Sequence, residues 1–169
     1  LRITVEGTTT GVVRSLYEAG YRTTVDVDAR TLLPLRVLRE TVEGGGKKTE
    51  AARFRRDAGV VETEAGKRPL DPLAHDPISL LYAVRAARWG ALGSRRTYAV
   101  SDLGHPWSVT ATVESRSGEG TVIRLDATAI APGSGRLTTR LTLEPGAAAR
   151  IARLTATLPV GEVELRLAP

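Results

Sequence analysis

The feature that most constrains this chain is a polarity that alternates at every second residue and recurs from end to end. In residues 21–28, Tyr21, Thr23, Val25 and Val27 fall on one side of an extended strand, and Arg22, Thr24, Asp26 and Asp28 on the other. Trp107, Val109, Ala111 and Val113 alternate with Ser108, Thr110, Thr112 and Glu114. Leu137, Thr139, Leu141 and Leu143 oppose Arg136, Thr138, Arg140 and Thr142. The same pattern sets Ala152, Leu154, Ala156 and Leu158 against Arg153, Thr155 and Thr157, and Val163, Leu165 and Leu167 against Glu162, Glu164 and Arg166. Successive side chains of a strand point to opposite faces, so this periodicity predicts antiparallel strands with one buried and one wet face.

Turn signals separate the runs: GGGKK at 44–48, SRSGEG at 115–120, APGSG at 131–135 and EPGAAA at 144–149. Matching to the strand template gives about eleven strands. Beyond those above, candidates lie at 1–6, 11–17, 34–43, 47–56, 59–64, 95–101 and 121–130. From residue 95 onward they follow one another closely enough for a meander. A length of 169 residues suits one β-rich domain over 1–169.

One segment breaks the pattern. HDPISLLYAVRAARWG, residues 75–90, has helical spacing. Asp76 suits the N-cap, and Pro77 the first helical position, where its missing N–H is not needed. Ile78, Leu81, Tyr82, Arg85 and Trp89 form one stripe, and Leu80, Val84 and Ala87 cover the adjacent side. The apolar arc is wider than a helix resting on a flat sheet requires. The expected fold is therefore mainly β, a single curved antiparallel sheet forming an unclosed or flattened barrel wrapped around one central helix at about 76–89. Gly90 and Gly93 end that helix, and PLDPLAHDP at 69–77 reads as an irregular crossover into it.

Composition narrows the functional classes. Aromatic residues are 4%, so the core is built from Leu, Val, Ile and Ala. Without cysteine, neither a disulfide nor a thiolate metal site is available. There is no 18-residue apolar run of the kind a membrane-spanning helix needs. The net charge of +5 comes mainly from arginine. Those arginines are scattered among apolar residues without aromatics for base stacking, which argues against nucleic acid and leaves a membrane surface open.

A resemblance rests on three elements in order. These are V-D-V-D-x-x-T-L-L-P from Val25 to Pro34, then Asp76-Pro77-x-Ser79-x-x-Tyr82-x-x-Arg85, and a closing strand, Pro159, Gly161 and a final strand through Leu165. The chain resembles an uncharacterised bacterial envelope family that carries a D-x-x-S-x-x-Y-x-x-R helix between two sets of strands. The resemblance implies export to the periplasm or cell envelope of a Gram-negative-type bacterium, with a signal peptide or lipobox removed. It also implies a fold similar to the periplasmic lipoprotein carriers, and no established activity. One departure is the short, arginine-rich RWGALGSRRTY between helix and Trp107, which predicts a more basic ligand mouth.

No catalytic set can be assembled. Asp71, His75 and Asp76 supply too few ligands for a metal, and His75 and His105 read as solvated loop residues. Ser79 reads as a capping contact at the helix start, outside any G-x-S-x-G elbow. GGG at 44–46 and GEG at 118–120 lack the strand–turn–helix context of phosphate loops. Asp26 and Asp28 share a wet face and lack the support of a glycosidase pair. No cofactor is expected.

Arg85 stands on an otherwise apolar stripe and must find a partner. It either pins the helix through a carboxylate or backbone carbonyls, or meets an anionic head group. Trp89 and Trp107 either line a cavity or fill the core. The expected site is thus a cavity lined by Ile78, Leu81, Tyr82, Arg85, Trp89 and Trp107, holding a lipid or acyl chain, or a lipidated partner. The alternative is an assembly module with a solid core that pairs with an envelope protein through a strand edge. An enzyme acting on envelope glycan ranks last.

Overall fold

The computed structural model describes residues 1–8, 19–130, 135–146, 150–158 and 161–166. Six strands come first: β1 (Arg2–Thr8), β2 (Ala19–Val27), β3 (Pro34–Glu43), β4 (Gly46–Arg55), β5 (Val60–Thr63) and β6 (Gly66–Pro69). Helix α1 (Pro77–Ala86) follows. Six more strands close the chain: β7 (Arg95–Asp102), β8 (His105–Ser117), β9 (Gly120–Ala129), β10 (Arg136–Leu143), β11 (Ile151–Leu158) and β12 (Gly161–Arg166).

Among the described residues the expected mainly-β, antiparallel architecture forms, with one α-helix and no closed barrel. The strands divide, however, between two six-stranded sheets, β1 to β6 and β7 to β12, instead of making one continuous sheet. In each sheet every strand pairs with its sequence neighbour. The break follows from the crossover: residues between β6 and β7 enter loop and helix and offer no ladder to carry one sheet into the next. The expected strand at 11–17 lies outside the described residues. The short β6 has no apolar alternation in GKRP and went unpredicted; it pairs β5 from Val60↔Pro69 to Thr63↔Gly66.

The chain forms two compact units, Leu1–Ser79 with Ser101–Gly104, and Leu80–Val100 with His105–Pro169. Register explains the core of each. In the first, one row across the strands is Ile3, Val25, Val37 and Ala52, each no more than 5% exposed. Two residues along, the same face carries Val5, Thr23, Arg39 and Glu50, and then Gly7, Tyr21, Thr41 and Lys48. Gly7 is where it is because Tyr21 crosses it: a Cβ there would run into the ring.

In the second unit, Val113, Ile123, Leu141 and Leu154 form one row and Ala111, Leu125, Thr139 and Ala156 the next. Val109, Ala127 and Leu137 make a third. Leu80 and Val84 of α1 pack into this face. At the far end, β9 begins at Gly120, where a φ of 139° and the clash of a would-be Cβ with the Leu143 carbonyl both demand glycine. A bulge between Val113 and Ser115 ends the regular alternation of β8.

The wet faces are laced with ion pairs. Arg2 meets Asp26 at 2.7 Å and Arg22 meets Glu6 at 2.8 Å. On the second sheet Glu114 accepts from Arg140 at 2.6 Å, which holds its carboxyl below the usual range. Among the described residues no helix is long and apolar enough to cross a membrane.

Candidate functional site

Two regions carry the chemistry that the sequence singles out. The first is a buried polar node in the first unit. Asp76 caps α1 as expected, its carboxylate accepting from the Ile78 N–H at 2.9 Å and the Ser79 N–H at 3.2 Å. Ser79 returns the contact, its Oγ accepting from the Asp76 N–H at 3.1 Å. This reciprocal pairing satisfies the open donors of the first helical turn. Asp76 is 1% and Ser79 0% exposed. Burial raises the Asp76 carboxyl above its ordinary value, against the lowering effect of the Ser79 and Ile78 donors.

His75 is a correction. It does not stand in solvent but is buried, with Nδ1 3.4 Å from Ser79 Oγ. Burial depresses its pKa, opposed by a hydrogen bond with the Leu32 backbone and assisted by the charge of Arg56. Its own carbonyl accepts from the Ser101 N–H at 2.7 Å. A serine beside a histidine suggests acyl chemistry only where substrate can reach it, and Ser79 has no exposed surface. Asp76 also spends its carboxylate on the helix end rather than on orienting the imidazole. The arrangement is thus that of a helix anchor.

Arg56 holds the node together and was not signalled by the sequence. It donates to the Pro72 carbonyl at 3.1 Å, the Pro34 carbonyl at 3.2 Å and the Ala74 carbonyl at 2.9 Å, and lies 5.8 Å from the Phe54 ring centroid. Burial lowers its pKa, partly countered by Asp71. The adjoining turn is the V-D-V-D-x-x-T-L-L-P stretch. There the Asp28 carboxylate accepts from the Arg30 and Thr31 N–H groups, both at 2.9 Å, and is held below its usual pKa by them. Leu32 takes a left-handed φ of 58°, rare outside glycine and asparagine. Three separate stretches, 28–34, 56 and 72–79, therefore meet at one place.

The second region is the expected apolar site. Ile78, Leu81, Tyr82, Arg85, Trp89 and Trp107 are all half-buried. Leu81, Trp89 and Trp107 pack against the core of the second unit. Trp89 is not on the helix, because α1 ends at Ala86; its indole N–H instead donates back to the Val84 carbonyl at 2.8 Å. Arg85 stacks over the Tyr82 ring at 6.0 Å, a partner the spacing of three residues makes available. The core-facing side of the second sheet is closed at one end and open at the other. Val113 is 1%, and Ile123 and Leu141 0% exposed, whereas Leu137 is 37% exposed and Ala127 and Trp107 are half-buried.

A groove of about 450 Å³ lies elsewhere, in the first unit, lined by Arg39, Thr41, Glu43, Lys48 and Glu50 among others. None of the six expected residues lines it. Its wall is partly neutralised: Arg39 meets Asp102 at 2.6 Å and Lys48 meets Glu50 at 2.7 Å. Among the described residues no three His, Asp or Glu side chains converge as metal ligands.

No curated protein matches this chain, and no solved structure matches it. A family model described as a protein of unknown function (DUF3108) matches residues 1–167, and the chain belongs to that family.

Proposed function

We propose that this is a non-catalytic binding protein of the bacterial cell envelope, periplasmic in a Gram-negative-type cell, that takes an apolar or lipid-like ligand on the uncovered part of its second sheet. The observation that carries this reading is the row Val109, Ala127, Leu137 and its neighbour Trp107. Val109 is buried in the cluster that Leu80 and Val84 join, Ala127 and Trp107 are half-buried against it, and Leu137 is open to water. An acyl chain laid there buries surface that the protein itself leaves wet. The inaccessible Ser79 and the structural employment of Asp76 support the absence of catalysis.

A delipidated preparation titrated with a fluorescent fatty acid tests the reading. Saturable uptake near one per chain is expected, weakened about tenfold or more by Leu137→Asp. Flat titrations across several chain lengths sink it. The assembly reading, through a strand edge, draws support from β1, a seven-residue strand at the end of the first sheet. The opposite edge, β6, is blunted by Pro69 and by the charges of Lys67 and Arg68. Flat titrations would leave the β1 edge as the surface to follow.

A further inference from the structure

Charge is unevenly placed along this chain. Residues 77–101 contain Arg85, Arg88, Arg95 and Arg96 and no lysine, aspartate or glutamate, so four of the five net positive charges belong to this stretch. The second unit gathers three of these arginines, with Arg116, around one loop. After α1 the chain turns through residues 87–94 into β7. This turn is stitched to β8 by the Gly93 N–H donating to the Val113 carbonyl at 2.9 Å and the Val113 N–H donating to the Ser94 carbonyl at 3.0 Å.

Two guanidinium groups brace it further. Arg116 donates to the Trp89 and Gly90 carbonyls at 2.9 and 2.7 Å. Arg96 donates to the Arg88 carbonyl at 2.9 Å and lies 5.7 Å from the centre of the Trp89 ring. These bonds fix the loop and leave both cations at the surface, beside the exposed Arg88 and Arg95, which make no ion pair among the described residues. At the tip stands Leu92, 68% exposed between exposed Ala91 and Gly93. On the adjoining β8–β9 hairpin, Glu114 is held by Arg140 and Asp126 by Arg124, which leaves Glu119 at the turn.

A single exposed leucine is ordinary, and so is a single exposed arginine. A braced loop with a leucine at its tip and arginines around it is a specific combination. Guanidinium forks match phosphodiester oxygens, and their aliphatic stems lie along apolar surface. We infer that residues 88–96 with Arg116 form a docking surface for an anionic phospholipid bilayer. Leu92 enters the headgroup boundary and Arg88, Arg95, Arg96 and Arg116 meet the phosphates. Nucleic acid fits less well: it gains nothing from an apolar tip, and the Trp89 ring that stacking would need is already covered by Arg96. The inference uses residues other than Leu137 and its row, and stands whether or not that row takes a ligand.

Cosedimentation of the intact chain with phosphatidylcholine vesicles, with and without phosphatidylglycerol, tests it. Binding that requires phosphatidylglycerol and weakens as salt rises is expected. Each arginine near an anionic surface contributes roughly fivefold, so Arg88→Glu with Arg95→Glu reduces binding by about 25-fold or more. Leu92→Ser reduces it several-fold, and that deficit persists at high salt. All three positions are exposed, and an unchanged circular dichroism spectrum and melting temperature verify the fold. The inference is overturned if phosphatidylglycerol makes no difference, or if the variants bind like the parent. It is also overturned if binding follows the arginines and ignores Leu92, or if a DNA duplex outcompetes the vesicles.

Discussion

The two sheets share a strand order and differ in what their core-facing sides carry. Both are six-stranded meanders with side chains in register across neighbouring strands. In the first, the buried apolar residues Val27, Phe54 and Val61 and the row of Ile3, Val25, Val37 and Ala52 are followed on one side by Thr23, Arg39 and Glu50. In the second, three successive rows from Val113 to Val109 stay apolar apart from Thr139. The first unit adds to its apolar residues a polar anchor built on Arg56, His75, Asp76 and Ser79. The second relies on depth of hydrocarbon under α1. Alternation sets the sheet, and the row-by-row content of one face sets how the unit is held and what it can bind.

The sharpest way to break this contrast is in the second unit. Leu141→Ala deletes a side chain with 0% exposure, and is expected to cost about 2–5 kcal/mol in urea unfolding. Hydrogen exchange should report the loss in β8 to β10 before the first sheet. Next in size, Arg56→Met leaves the Pro34, Pro72 and Ala74 carbonyls without their donor, costing roughly 2 kcal/mol. Its exchange signature should fall on residues 28–34 and 72–79 and spare the second sheet. Equal loss of protection in both units from either variant would erase the distinction.

Acid should also separate the units. The native His75 pKa lies below the ordinary histidine value of about 6.5, so the stabilisation it contributes is complete above that value and is lost as pH falls from there through the depressed native value. Below 6.5 the unfolded chain takes the proton more readily. His75→Asn should flatten this limb of the melting-temperature curve, while the carboxylates Asp26 and Glu114, held low by Arg2 and Arg140, keep their own losses at lower pH. The smallest effect is expected at the β7–β8 turn. Leu103 and Gly104 both take positive φ, 48° and 88°, the pattern of a type I′ hairpin. Leu103→Asn puts a residue that tolerates this conformation there, and should raise stability by about 0.5–1 kcal/mol.

Much of this was legible in the sequence because period-two polarity is a local signal. β2, β8, β10 and β11 were read from it with near-correct bounds, and Asp76 with Pro77 marked the start of α1. Helical spacing extends the expected helix to Trp89 where the backbone helix ends at Ala86, because a ring that folds back onto Val84 keeps helical spacing without helical backbone. The division into two sheets depends on which strands fail to pair, and no strand records that by itself. His75 and Arg56 escaped for a related reason. Their burial is set by carbonyls at Leu32, Pro34 and Ala74, and a backbone acceptor leaves no trace in side-chain pattern. Of the six expected site residues, Leu81, Trp89 and Trp107 pack against an apolar core, and the row of the proposed site, Ala127 and Leu137, sits on strands whose polarity resembles that of their neighbours.

The nearest-neighbour order of both meanders has a further consequence. Among the described residues no strand waits for a mate from a remote part of the chain, so each hairpin can zip onto the last as the polypeptide is made, and loop-closure entropy stays small within each sheet. A chain ordered this way keeps its growing sticky border to a single strand at a time, which limits the interval in which two nascent copies can tangle.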